Sequence, residues 1–203
     1  MKTLNRLNIS MKKRILILLA IITAANSCLK LQTWEKYEGK AVNVELGISC
    51  WEYLQQNSET FPSMIRAIEL ASLEDCYSQS TEKYTFILLS EKAISSYVTN
   101  LGDNPTSSQI LKLRSLLLFH IIRGQYDAYS NLTYSVQFVD TLLEGDERMS
   151  MVLTRELTSR GGVDRIQFMN DCGSSSVVTA VRSNYILSNG AAHVVDSYCQ
   201  YKD

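Results

Sequence analysis

The stretch Tyr84-Thr85-Phe86-Ile87-Leu88-Leu89 holds no charge, no glycine and no proline, and its residues are mostly β-formers. It is too short for an independent helix, and it lacks the polar alternation of a half-exposed strand. It therefore reads as a strand buried on both faces. Ser90 follows where an N-cap belongs, and Glu91 opens a short helix expected from Glu91 to Val98. After turn residues at Gly102 to Pro105, a second helix is expected from Ser107 to Phe119. Its apolar positions Ile110, Leu113, Leu116 and Leu117, with His120, are spaced three or four apart on one face. Phe119-His120-Ile121-Ile122 is expected to leave that helix as another buried strand, stopped by Gly124.

The remaining elements are arranged around this block. Ser49 is an N-cap candidate for a short helix through Trp51, Tyr53 and Leu54. Phe61 to Leu73 is amphipathic, with Pro62 suited to the first turn. Beyond Gly124 the chain turns through Tyr126 to Asn131, runs from Tyr134 to Leu143 and turns again at Glu144 to Glu147. Short strands are expected at Met149 to Arg155, Arg165 to Met169, Ser176 to Val181 and Ala192 to Cys199, with a loop or bulge at Gly161-Gly162. No internal repeat or low-complexity tract interrupts them.

Three ordered blocks carry a family resemblance. They are Tyr84-Thr85-Phe86-Ile87-Leu88-Leu89-Ser90-Glu91-Lys92-Ala93, Leu117-Leu118-Phe119-His120-Ile121-Ile122-Arg123-Gly124 and Asn189-Gly190-Ala191-Ala192-His193-Val194-Val195-Asp196. Together they resemble the fasciclin-like (FAS1) domain. That family has Phe-Thr-x-Phe-x-Pro-Thr, Leu-Leu-x-Tyr-His-Val-Val-x-Gly and Asn-Gly-x-x-His-x-Ile-Asp in the corresponding places. Thr141-Leu142-Leu143-Glu144-Gly145 is similar to the family's Thr-Leu-Leu-Gly turn. The resemblance runs from about Val44 to Gln200. It implies an α+β fold, a fasciclin-like β-wedge or sandwich with N-terminal helices and a helical layer, and it fixes fold better than function.

The N-terminus reads as an export segment. Residues 1–27 hold five basic side chains and no acidic one, then the apolar run Ile15 to Ile22, then small residues leading to Cys28. That apolar run is short of the roughly 20 residues that span a bilayer. Small residues before Cys28 resemble a relaxed lipobox of a bacterial (Bacteroidetes-type) lipoprotein, with Ala25 where leucine is usual; Cys28 would then be the lipid anchor. An ordinary signal cut nearby and an uncleaved anchor stay open, as does a start at Met11. The expected organisation is residues 1–27 as signal, 28–43 as tether and 44–203 as a fasciclin-like domain of an outer-membrane lipoprotein. Trp34 and Tyr37 fit either a loose tether or one helical turn. The chain carries −1 at pH 7, and losing the five basic residues leaves −6. That mild acidity does not point to nucleic acid as a partner.

Beyond Cys28 stand Cys50, Cys76, Cys172 and Cys199. An exported chain with an even count suggests disulfides, three pairings being possible. The local bridges Cys50–Cys76 and Cys172–Cys199 are favoured, against free buried thiols. No metal site is expected, since there is no C-x-x-C pair. The two histidines, His120 and His193, coincide with family positions and read as core residues with satisfied ring nitrogens. In animal members of the family the Tyr-His pair is linked to adhesion. Here the tyrosine is Phe119, so the hydroxyl and its role do not carry over. Phe119, His120, Asn189, Gly190 and His193 are thus the family positions to place, as interaction or structural residues.

A Ser90-His120-Asp196 set can be written on paper, but no G-x-S-x-G elbow, G-x-G-x-x-G, P-loop or H-E-x-x-H supports catalysis. Asp140-Thr141-Leu142 and the sequon Asn131-Leu132-Thr133 fit short glycosylation patterns. The resemblance implies adhesion or binding of an extracellular or periplasmic protein or glycan, without cofactor and with the membrane reached through the lipid anchor. Glycan binding in envelope nutrient capture is the second reading, and an enzyme a distant third.

Overall fold

The computed structural model describes residues 45–79, 81–144, 150–157, 164–170 and 177–200. Three short helices come first: α1 (Cys50–Gln56), α2 (Pro62–Ala71) and α3 (Glu74–Ser78). Ser49 caps α1 in a reciprocal box: its Oγ accepts from the Glu52 amide, and the Glu52 carboxylate accepts from the Ser49 amide. One such cap contributes about 1 kcal/mol. Pro62 opens α2, whose Met64, Ala67, Ile68 and Ala71 are buried.

β1 (Tyr84–Leu89) is buried at all six positions, as its composition requires. α4 (Glu91–Leu101) follows and runs about one turn beyond the expected Val98. α5 (Ser107–Phe119) begins at a Thr106–Gln109 capping box and buries Leu113, Leu116, Leu117 and Phe119. α2 packs against both α4 and α5. Phe119 ends α5, at the expected bound of that helix, and the strand expected to start at Phe119 starts instead at Ile121. Nothing between Leu116 and Phe119 breaks the helical ladder. The chain turns at His120 instead, where φ −92° and ψ 11° end the helix while its amide still bonds back to Leu117. Only then does β2 (Ile121–Arg123) begin.

The remaining strands are β3 (Gln137–Asp140), β4 (Ser150–Leu157), β5 (Asp164–Asn170), β6 (Val178–Leu187) and β7 (Gly190–Val195). All seven form one sheet in the order β2-β1-β7-β6-β5-β4-β3. β1 and β7 are parallel, with Phe86 opposite Ala192 and Leu88 opposite Val194. The other pairs are antiparallel. The sheet nearly closes on itself, because Thr141 bridges to Ile122 and the Leu142 amide donates to the Ile121 carbonyl at 2.8 Å. The fold is α+β, a curled sheet with helices against it. Its core runs from Phe61, Met64 and Ile68 through Phe86, Leu88 and Phe119 to Phe168 and Val194.

Candidate functional site

The five family positions converge on the interior. Phe119, His120, Asn189 and His193 are all 0% exposed. At His120, Nδ1 lies 2.8 Å from the Leu116 carbonyl, and Nε2 accepts from the Cys199 amide at 3.0 Å. One ring nitrogen therefore donates and the other accepts, which fixes a neutral imidazole protonated on Nδ1. Burial pushes its pKa down to about 4, against the opposing effect of the Leu116 carbonyl. His193 shows the mirror arrangement. Its Nε2 lies 2.8 Å from the Tyr126 carbonyl, and its Nδ1 accepts from the Asn184 amide. Burial lowers its pKa to about 4 as well.

Asn189 and Gly190 form the junction between β6 and β7. The Asn189 Oδ1 accepts from the Cys50 amide at 3.0 Å, and its Nδ2 donates to the Tyr77 carbonyl at 2.8 Å. One amide side chain thus ties the start of α1 and the end of α3 to the sheet. Gly190 has φ +146°, and a Cβ there would lie 1.8 Å from the Tyr84 carbonyl oxygen. The backbones of β1 and β7 approach so closely that only glycine fits.

The paper triad does not assemble. The Ser90 Oγ donates to Asp196 Oδ1 at 2.8 Å without histidine between them. The Ser90 side chain makes no capping bond to α4, although it stands at the N-cap. Asp196 also pairs with Lys92 at 3.5 Å. His120 has both nitrogens engaged elsewhere, and His193 bonds Tyr126 and Asn184, not Asp196.

The cysteines differ from the favoured pairing: Cys50, Cys76 and Cys199 are free thiols. Cys50 is buried on the first turn of α1 and Cys76 half-buried on α3, which packs against α1. Desolvation raises the pKa of both thiols, for Cys76 against the opposing charge of Arg114. Burial pushes the Cys199 thiol up to about 12. Cys28 and Cys172 lie outside the described residues, as do the expected turn at Gly145 to Glu147 and the Gly161-Gly162 loop. No cluster of three or more His, Cys, Asp or Glu suited to a metal occurs among the described residues. No helix among them is long and apolar enough to cross a membrane.

The internal polar groups build something that the sequence did not reveal, the loop from Gln125 to Val136. Thr85 Oγ1 donates to the Gly124 carbonyl and accepts from the Tyr126 amide, both at 2.8 Å. His193 holds the Tyr126 carbonyl from below. Asn184 accepts from the Ala128 amide. Asp127 is 1% exposed; its carboxylate accepts from the Tyr129 amide, the Ser130 hydroxyl and the Gln125 amide group. Burial opposes its ionisation, but those hydrogen bonds outweigh burial and hold the carboxyl below its ordinary range. From β4, the Arg155 Nη1 donates to the Ala128 and Leu132 carbonyls, and its guanidinium lies 4.4 Å from the Tyr134 ring centroid.

The loop so fixed presents Tyr129, Tyr134 and Val136 to solvent, and the strand it feeds presents Phe138. Asn131 is exposed with its amide bonded to the Gln125 carbonyl, while Thr141 is buried and presents no surface hydroxyl for glycosylation. Elsewhere a polar cleft of about 300 Å³ opens between Glu45, Lys83, Gln125 and Ser188, where Lys83 Nζ bonds the Ser188 carbonyl. The exposed aromatic loop and strand are the candidate interaction surface.

A family model described as the Fasciclin domain matches residues 59–199. No curated protein matches the sequence. Among solved structures, a FAS1 domain pair from the insect cell adhesion molecule Fasciclin I is similar at 15% identity with a TM-score of 0.49. That likeness covers 74% of this chain and 50% of the other, so the matched part spans half the length of that solved domain pair.

Proposed function

The chain belongs to the fasciclin domain family, and on that premise we propose that it is an adhesion or interaction module that binds a protein or glycan partner at the cell envelope. One observation supports this reading above the others. Polar side chains from β1, β4, β6 and β7 (Thr85 and His193 buried, Arg155 and Asn184 half-buried) are used to hold a single loop, and that loop carries exposed aromatic side chains. Tyr129 is 71% exposed and Tyr134 is 56% exposed. Large aromatic rings held in place at little cost in conformational entropy are a favoured material for contact surfaces.

The anchoring proposed for Cys28 fits a module that acts at a surface. Each buried acyl methylene contributes ~0.8 kcal/mol, and stable retention needs more than one chain, which a diacylated cysteine supplies. Residues 28–43 would then serve as the tether and residues 44–203 as the binding domain. Labelled fatty acid should enter the wild-type chain and not Cys28→Ser; equal labelling of both removes the anchor.

The function itself is tested with the full-length protein on beads, offered purified envelope proteins and a glycan array, with ester and glycoside hydrolysis assayed in parallel. The reading expects saturable binding to a defined partner that falls when Tyr129 and Tyr134 are changed to serine together. Hydrolysis that disappears in a folded His120 variant would replace it with an enzymatic one.

A further inference from the structure

Asn189 is the one asparagine of the chain that is followed by glycine. That pair is chemically labile, because glycine has no side chain to keep its amide nitrogen away from the asparagine side chain. The reaction is an intramolecular substitution. The Gly190 nitrogen bonds to Cγ of Asn189 and sheds its proton, the Cγ–Nδ2 bond breaks, and ammonia leaves. Water then opens the resulting cyclic imide at one of its two carbonyls, giving aspartate or isoaspartate.

The native fold withholds each requirement of this reaction. The side-chain amide is held at both ends, Oδ1 by the Cys50 amide at 3.0 Å and Nδ2 by the Tyr77 carbonyl at 2.8 Å. The peptide unit that must rotate is fixed too. The Asn189 carbonyl accepts from the Tyr84 amide at 3.0 Å, and Gly190 stands in register with Tyr84 on β1 and Leu187 on β6. The Tyr84 backbone crowds Gly190 so closely that no Cβ fits there. Asn189 is 0% exposed, so the water of the second step is excluded as well.

The products do not fit the place that asparagine leaves. An aspartate there has no amide donor for the Tyr77 carbonyl, and its carboxylate sets charge and acceptor against that carbonyl in the core. Isoaspartate routes the backbone through the former side chain. It lengthens the tight turn at Ser188-Asn189, between the paired residues Leu187 and Gly190. Either product severs the tie from the sheet to α1 and α3.

We propose that Asn189 is a deamidation site gated by folding: silent in the native protein, it is converted only in molecules whose core has opened, and conversion bars their return. The working life of the domain then depends on how rarely α1 and α3 leave the sheet, because a long opening ends in chemical change and not in refolding.

The full-length protein, with thiols kept reduced, is incubated at neutral pH both native and in urea above the unfolding transition. Peptide mapping with isoaspartate detection follows every asparagine. In urea Asn189 should convert ahead of all the others. In the native protein it should convert at least about a hundredfold more slowly, since only opened molecules react. Dilution after increasing times in urea should return a refolded fraction that shrinks in step with conversion. That fraction should hold asparagine at position 189, with the products left in the unfolded remainder. The same exposure in mildly acidic urea, where attack by the amide nitrogen is slow, should leave refolding at neutral pH intact. Asn189→Asp should fail to regain the wild-type unfolding transition. Native conversion within about tenfold of the rate in urea overturns the proposal. So does refolded material carrying the products in the same proportion as the starting mixture, or an Asn189→Asp variant with wild-type stability.

Discussion

The backbone amide of Cys199 donates to Nε2 of His120 at 3.0 Å, joining the C-terminal segment to the end of α5. The same ring bonds the Leu116 carbonyl, so His120 closes two buried gaps at once. His120→Ala would leave the Cys199 amide and the Leu116 carbonyl unpaired and open a cavity. The expected loss is on the order of 3 kcal/mol by urea unfolding. A loss under about 1 kcal/mol would mean that water satisfies both groups.

Acid should destabilise the domain before its carboxylates titrate. His120 and His193 have pKa values of about 4 in the fold, against an ordinary 6.5. Between those limits the unfolded chain binds more protons, so stability rises with pH there and is lost as pH falls from about 6.5 towards 4. The difference corresponds to on the order of 3 kcal/mol for each histidine. Melting temperature followed from pH 7 to 4 should fall steadily, and His193→Gln should flatten about half of the slope. Asp127 acts in a lower window, its carboxyl being held below the ordinary 3.8. A melting curve flat from pH 7 to 5 would contradict the neutral assignments.

Gly190 should tolerate nothing larger. A methyl group there meets the Tyr84 carbonyl oxygen at 1.8 Å, on a backbone with φ +146°. Relief would require separating β1 from β7, the parallel pair at the centre of the helix-covered half of the core. Gly190→Ala is expected to cost ~4 kcal/mol or to prevent folding altogether. Gly102 offers the control: it has φ +68° but nothing within 4 Å of the point a methyl group would occupy. Alanine there should cost far less, about 1 kcal/mol.

Much of this was legible along the chain, for identifiable reasons. β1 declared itself because a strand buried on both faces needs no alternation, and α5 because its leucines follow the helical period. The Ser49 cap was readable from a local rule. Phe119 was counted both as the end of the helix and as the start of the next strand, because an apolar residue ahead of Ile121-Ile122 looks the same in either; the helical bound is the one that holds. What decided it was the ladder to the preceding turn. The loop from Gln125 to Val136 was opaque because its supports, Thr85, Arg155, Asn184 and His193, are distant in sequence. The outward turn of Val136 and Phe138 was opaque too. Both faces of that segment contain apolar residues, and the register against β4 chooses between them. The cysteines misled because sequence proximity brings Cys50 and Cys76 onto neighbouring helices without bringing the thiols together.

Those thiols give the last prediction. Cys50 and Cys199 are 0% exposed, and Cys76 is half-buried. Alkylation requires the thiolate, and desolvation raises the pKa of all three. Mass-mapped labelling of the native protein at neutral pH should therefore modify Cys76 first and slowly, with Cys50 and Cys199 protected until the fold opens. Adding urea through the unfolding transition should release the two buried sites together, because both belong to one core. Labelling of Cys199 well ahead of Cys50 would show that the C-terminal segment detaches from His120 separately. A Cys50–Cys76 bridge found in the peptide map of the unreduced protein would overturn the free-thiol arrangement and restore the pairing favoured by the sequence.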